Sequence, residues 1–421
     1  MLLLHDTRSA QRYTGDGSPP LRVGQFTDSF PPVINGVSAF VAEHHAELLA
    51  QGQQAQVFTF GYLKHRDGLP NVWRSPGLPM GTSPFRTSPV LSLPAHRAAA
   101  TLDVLHAHEP FAIGQIAARY SVSHGRPLIF TIHTRHDLYL RNYLRLLHPF
   151  LHFYITRTIA SLLRHSTLST APSRDTARWL QSLAPDVAHR VRVVCNGIRL
   201  DEFDVAQAPA ARDAFGISGD QTLFVYVGRV SPEKNLKTFA EALIRAVDAG
   251  ADAHWLIIGD GPARAALQAQ LAPIRERSHF LGAVPRAQVP RLLAMADVFA
   301  SPSLSEVNPV SVIEAMACGK PFLGLHATWW DEFSDNENPQ PAGVLCGHNA
   351  GELAAAIRRL CDDRALRLQM GAQARRLSRR FDIRSVTAQW IDIYRSVEES
   401  IEIQPAGSIQ VVKRFFRAAL S

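Results

Sequence analysis

The stretch LRVGQFTDSFPPVINGVSAF, residues 21–40, decides the fold. It reads as a short apolar strand, a loop punctuated by Pro31, Pro32, Asn35 and Gly36, and the opening of a helix. Within that helix Val37, Phe40, Val41, Leu48 and Leu49 recur at helical spacing, and AQVFTF (55–60) is the next strand. Strand, loop, helix, strand is the unit of a parallel sheet covered by helices. Two more apolar runs end in polar tips, DVLHAHEP (103–110) and PLIFTIHTRHD (127–137). Such sheets bind ligands beyond the carboxyl ends of their strands. Thr27, His106, His108 and His133 are the polar tips placed there.

The same grammar returns after VRVVCNGIRLDEF (191–203), in TLFVYVGR (222–229), HWLIIGDG (254–261), HFLGAV (279–284), DVFASPS (297–303) and PFLGL (321–325). The chain therefore reads as α/β, with two doubly wound Rossmann-like domains facing a cleft. Residues 1–20 are a loose tail, 21–200 the first domain and 201–384 the second. Residues 385–421 are a helical segment with the option of packing back on the first domain.

A length of 421 residues suits two or three domains, and 46% apolar with 19% charged residues excludes a disordered polar chain. No apolar run reaches the roughly 20 residues of a spanning helix. The first 20 residues lack the apolar stretch of a signal peptide. Cys195, Cys318, Cys346 and Cys361 lie far apart with no C-x-x-C, which argues against a disulfide framework or a zinc ribbon and suits a reducing cytoplasm. The net charge is +7, and only 5 of the 44 cationic residues are Lys. Genomic base composition and attraction to an anionic partner both account for that.

Four constellations carry chemistry. In Gly228-Arg229-Val-Ser-Pro-Glu-Lys234-Asn235, a glycine turn and two cations precede a helix expected over Leu236–Ala249. That is an anion cradle, or else a turn with solvated charges. In Ser305-Glu306-Val-Asn308-Pro309-Val310…Glu314, two carboxylates flank a helix start. With Pro309 as first helical residue, Glu314 points inward and the N–H groups near 308–312 face an anion. Asn35-Gly36 is a tight loop where backbone can approach a ligand. Thr131-Ile-His133-Thr134-Arg135-His136-Asp137 puts a histidine at a strand tip. His106-Ala-His108 has the look of a metal pair, but no third ligand supports it.

Together, NGV, TIHT, GRVSPEKN, IIGDGP and SE…E-AMACGKP resemble glycosyltransferase family 4, in order and spacing, over roughly residues 21–390. The resemblance implies a GT-B fold and retaining transfer from a nucleotide sugar, which is a substrate. No cofactor and no metal are implied. It implies that Arg229 and Lys234 hold the donor diphosphate and that Glu314 accepts from the ribose. Glu306 binds the transferred sugar, and Asn308, Pro309 and Val310 contact sugar and phosphate. Gly36 and Gly261 line the donor site, and His133 lies beside the reacting sugar. His108, Arg135 and Asp137 fall in the acceptor region. The loop E-V-N-P-V-S-V-I-E departs from the family's frequent aromatic-Gly at 308–309 and is similar to that of diacylglycerol glucosyltransferase-like enzymes. Because Pro309 donates no N–H, donor contacts there shift to its neighbours.

A lipid acceptor gains from residues 134–192, with nine Arg against three Asp. Within them Arg141, Arg145, His148 and His152 are spaced for one helical face amid bulky apolar residues. Val411–Leu420, VVKRFFRAAL, is a second amphipathic candidate. Such segments lie on anionic membranes, or are ordinary helices. The expected partners are a nucleotide diphosphate sugar, UDP-glucose-like, and a lipid, not nucleic acid. The expected location is the cytoplasm, peripheral on the inner membrane face. A soluble or polysaccharide acceptor is the alternative. A nicotinamide dehydrogenase rests only on Gly259-Asp-Gly261, where Arg264 replaces the third glycine. A non-catalytic binding protein rests on charge alone.

Overall fold

The computed structural model describes residues 17–33, 35–61, 67–79, 86–135, 137, 148–204, 212–333 and 341–400. The first half holds strands β1 (Arg22–Phe26), β2 (Gln54–Phe60), β3 (Val72–Ser75), β6 (Val104–Ala107), β7 (Leu128–Thr131), β8 (Leu168–Ala171) and β9 (Val191–Val193). They form one parallel sheet in the order β3-β2-β1-β6-β7-β8-β9. Two-residue strands β4 (Leu78–Pro79) and β5 (Arg86–Thr87) pair separately. The second half holds β10 (Thr222–Val227), β11 (Ala253–Ile258), β12 (Ser278–Gly282), β13 (Val298–Ser301), β14 (Phe322–Leu325) and β15 (Gly343–Cys346). Their order is β12-β11-β10-β13-β14-β15, again all parallel.

Both sheets start in the middle, grow to one edge, and return to grow the other way. The winding reverses between β1 and β6, and between β10 and β13. Loops leaving those neighbours diverge and open a crevice at the carboxyl ends. The two halves are Rossmann-like.

Central strands are buried on both faces, as helix-covered parallel strands must be: all six residues of β11 are buried. The helix Leu236–Asp248 buries Leu236, Phe239, Ala240, Leu243 and Ala246 on one stripe. Asn35 caps the helix Gly36–Ala50, its side chain accepting from the Ser38 N–H at 2.8 Å.

The helix Ile383–Glu399 follows the second sheet in sequence yet covers the first. Asp382 opens it by accepting from the Arg384 N–H. Val386, Trp390, Tyr394 and Val397 share one face and pack with Leu21, Val23, Val104, Ile129 and Leu168. Truncating a buried Trp in such a layer costs about 3–5 kcal/mol.

Several readings change in detail. His106 is inside β6, not at its tip, and is fully buried. Pro309 is the extended cap residue (ψ 105°) and the helix starts at Val310, so the carbonyl of Pro309 already accepts from Val312. The helix after Asn235 ends at Asp248. Arg141, Arg145, His136 and Val411–Leu420 lie outside the described residues.

Candidate functional site

At the crevice of the second sheet, β10 runs into Gly228. Gly259, at the end of β11, has φ 131°, and a Cβ there would sit 1.9 Å from the Gly228 carbonyl. Any side chain at 259 would force the two loops apart. Gly261 has the same close approach to the Val230 carbonyl, 2.3 Å for a Cβ. These glycines let the first loop of the crevice lie directly on the second.

The Tyr226 hydroxyl donates to the Arg229 carbonyl at 2.9 Å, and the Arg229 side chain is exposed. Asn235 turns the chain in the left-handed region (φ 55°) and donates to the Pro302 carbonyl at 3.2 Å. This bond ties the loop after β10 to the loop after β13. It also brings Lys234 Nζ to 2.6 Å from Glu306 Oε1, both side chains mostly shielded from solvent.

Beyond Glu306, Asn308 is 7% exposed, and neither its amide nitrogen nor its oxygen has a partner among the described residues. A buried amide without partners is costly, which marks a place where a polar ligand would be welcome. Pro309 and Val310 follow, half-buried at the start of the helix Val310–Ala317. Its first N–H groups have no intrahelical acceptor. Glu314, one turn in, is buried, and burial pushes its carboxyl up to about 7 while Arg286 beside it pulls the other way.

Arg286 was not anticipated. Its Nη1 donates to Glu314 Oε1 at 2.6 Å and its Nη2 to Glu43 Oε1 at 2.7 Å. Glu43 lies on the helix Gly36–Ala50 of the first half, so one guanidinium joins the two halves across the cleft. The sequence gives no spacing signal for a pair 243 residues apart.

In the first half, Gly36 opens its helix in clear space: a Cβ there meets no atom within 4 Å. Packing alone does not require glycine at that point. His108, just past β6, and His133, just past β7, meet with Nδ1 to Nε2 at 3.0 Å. His108 Nε2 and His133 Nδ1 have no partner among the described residues. Burial lowers both imidazoles, His133 to about 3, so they are neutral at pH 7. Arg135 is committed elsewhere: it pairs with Asp137 at 2.9 Å and Asp175 at 3.0 Å and lies over the Trp179 ring.

A second carboxylate pair sits at the first crevice, also unread in the sequence. Glu109 accepts from the Thr27 hydroxyl and the Asp28 N–H, each at 3.1 Å. Burial, with the neighbouring carboxylate, raises Asp28, and burial raises Glu109.

The structure thus brings Arg229, Lys234, Gly261, Glu306, Asn308, Pro309, Val310 and Glu314 to the crevice of the second sheet. Gly36, His108 and His133 lie at that of the first. Among the described residues no cluster of three or more His, Cys, Asp or Glu is arranged to hold a metal ion.

Two family models divide the chain. Glycosyltransferase Family 4 matches residues 34–202 and Glycosyl transferases group 1 matches 207–377. An alpha-monoglucosyldiacylglycerol synthase of Acholeplasma laidlawii is 25% identical over 75% of this chain and 83% of that protein. A D-inositol 3-phosphate glycosyltransferase of Mycobacterium leprae is 25% identical over 84% of this chain and 85% of its own. Anabaena HepE, solved in complex with UDP and glucose, superposes with TM-score 0.70 at 21% identity, over 89% of this chain and 100% of that one.

Two Rossmann-like halves with a helix returning from the second to the first, matched by these models, define a GT-B glycosyltransferase. The chain is an enzyme of that class and belongs to glycosyltransferase family 4.

Proposed function

We propose that this enzyme moves a hexose, with retention, from a nucleoside diphosphate sugar to a lipid hydroxyl at a membrane surface. UDP-glucose is the favoured donor and diacylglycerol the favoured acceptor class. The donor sits on the second half, residues 201–384, and the acceptor on the first, residues 21–200.

The observation that carries this reading is the contact between Lys234 and Glu306. A cation suited to phosphate touches a carboxylate suited to sugar hydroxyls. A nucleotide sugar carries just those two groups on either side of one C–O bond. Arg229 joins Lys234 on the diphosphate, Glu314 accepts from the ribose, and the unpartnered amide of Asn308 and the backbone of Pro309 and Val310 meet the sugar. Gly36 leaves room for the diphosphate from the opposite wall. Transfer forms a bond from the acceptor oxygen to the anomeric carbon and breaks the bond to phosphate. The acceptor proton goes to the departing phosphate oxygen. Charge on that leaving group is neutralised by Arg229 and Lys234. His133 orients the sugar, and His108, Arg135 and Asp137 shape the acceptor side.

Two observations support a lipid acceptor. The matched Acholeplasma relative is named for glucosyldiacylglycerol synthesis. The helix His148–His165 also presents Phe153 and Tyr154 to solvent, 61% and 56% exposed, beside exposed Arg157. Aromatic rings with a cation suit the headgroup region of an anionic leaflet. Among the described residues no helix is long and apolar enough to cross a membrane. We place the enzyme peripherally on the inner face of the cytoplasmic membrane.

The test is nucleoside diphosphate release from UDP-glucose, UDP-galactose, UDP-GlcNAc and GDP-mannose, with and without diacylglycerol in anionic vesicles. Lipid-dependent release from one donor is the expected result. Release that responds only to soluble sugars would move the acceptor to the soluble class, and no release from any donor would overturn the site.

A further inference from the structure

Beneath the first crevice lies a buried polar network that the reaction as described does not use. His44, His106, Thr131, Thr170, Thr387 and Tyr394 are all essentially inaccessible to solvent. The Tyr394 hydroxyl is its centre. It lies 3.0 Å from His44 Nε2 and 2.8 Å from His106 Nδ1. His44 Nδ1 meets Thr387 Oγ1 at 3.0 Å, and His106 Nε2 meets Thr131 Oγ1 at 2.7 Å. Thr131 Oγ1 continues to Thr170 Oγ1 at 2.6 Å.

Two branches climb from this centre to His133. In one, the His106 ring packs on His108 with centroids 4.1 Å apart, and His108 bonds His133. In the other, His44 stacks on Phe40 at 5.5 Å, and Phe40 packs against His133 at 5.3 Å. Both branches begin at one hydroxyl on the helix that returns from the second half.

We infer that Tyr394 is a positioning residue, fixing through His44–Phe40 and His106–His108 the ring orientation of His133 at the cleft. The inference rests on the proposed role of His133 beside the transferred sugar. Proton counting supports it. Burial lowers His44 to about 3 and His106 well below its ordinary value, so each ring is neutral with one N–H. A hydroxyl has one proton, so Tyr394 donates to one imidazole and accepts from the other. If it donates to His106 Nδ1, His106 donates from Nε2 to Thr131, Thr131 donates to Thr170, and His44 donates from Nε2 to Tyr394 and accepts from Thr387. The reverse set also satisfies every contact. Rings held in such complete sets do not turn singly.

The test is Tyr394→Phe, which removes the hydroxyl and keeps the ring. Its control is Val397→Ala, which thins the packing of the same helix and leaves the network whole. Turnover is measured with the nucleotide sugar selected by the donor panel, and histidine ring nitrogens are read by 15N NMR on the full chain. Expected for Y394F is a kcat loss of about 10- to 100-fold with an unchanged donor KM, and shifted His106 and His133 ring signals. V397A lowers Tm but keeps kcat. Wild-type kcat with unmoved His133 signals in Y394F would overturn the inference, as would an equal kcat loss in V397A. His133→Ala with wild-type turnover would instead overturn the role given to His133 in the proposed function. The nitrogen signals of Y394F report positioning whichever way that variant falls.

Discussion

At the residue scale, the proposed function assigns the charge of the departing diphosphate to two cations, Arg229 and Lys234. Lys234→Ala and Arg229→Ala should each lower kcat by roughly 10²–10³-fold, the usual cost of removing one preorganised charge at a leaving group. Circular dichroism should show both variants folded, because Lys234 contacts a side chain and Arg229 is exposed. Glu109 and Asp28 predict a pH effect on stability. Burial holds both above the ordinary carboxylate range, so the folded chain binds a proton there that the unfolded chain releases. The contribution of this pair is then fully present below about pH 4 and falls as pH rises toward about 7. The buried neutral His44, His106, His108 and His133 contribute the opposite slope, so the carboxylates are read as a difference: the Tm of wild type minus that of Glu109→Gln should fall between pH 5 and 7, measured by calorimetry. Lys234, Glu306 and Glu314 can be placed from the sequence because each stands at a junction leading into a helix, within motifs that carry the family resemblance. Glu43 and Tyr394 were not, since their partners lie hundreds of residues away and only folding brings them together, and the same holds for the pairing of Arg286 with Glu43. One trace was visible: His44 stands on the apolar stripe of its helix, between Val41 and Leu48, where a polar side chain asks for a buried partner.

At the element scale, most strands of the two parallel sheets are legible in the sequence, while β3, β8, β9 and β15 are not. β10, TLFVYV, and β11, AHWLII, are mostly apolar runs followed by glycine. β3, VWRS, and β9, VRV, are short and only partly buried, so their composition carries little signal. The helix starting at Val310 was read one residue early because a proline suits both the cap and the first turn. The helix His148–His165 carries the membrane prediction. Replacing Phe153 and Tyr154 by Ala and Arg157 by Glu should cut flotation with anionic vesicles at least tenfold. NDP release from the donor without acceptor should be unchanged, because these side chains face solvent on the first half.

At the scale of the whole molecule, polar links tie the two halves together. Arg286 joins Glu43 to Glu314, and Glu332 accepts from the Arg174 N–H at 2.7 Å. Arg286→Ala should loosen the first link, read as a larger radius of gyration in small-angle scattering of the donor-free enzyme. Saturating donor should reverse part of that expansion. The doubly wound order of both sheets followed from the alternation of strands and helices, but the relation between the halves has no local code. The helix Ile383–Glu399 is the plainest case, since its apolar face says that it is covered and not by which sheet.

That helix also sets a timetable for synthesis. The ribosome finishes β9 at Val193 and must add roughly 200 more residues before Trp390 and Tyr394 emerge, about 10–40 s at ordinary elongation rates. Throughout that interval one face of the first sheet, with Val23, Val104, Ile129 and Leu168, has no permanent cover. A nascent chain in this state is a client for holdase chaperones. A premature stop anywhere before codon 383 leaves a product that exposes this face to aggregation and to quality control.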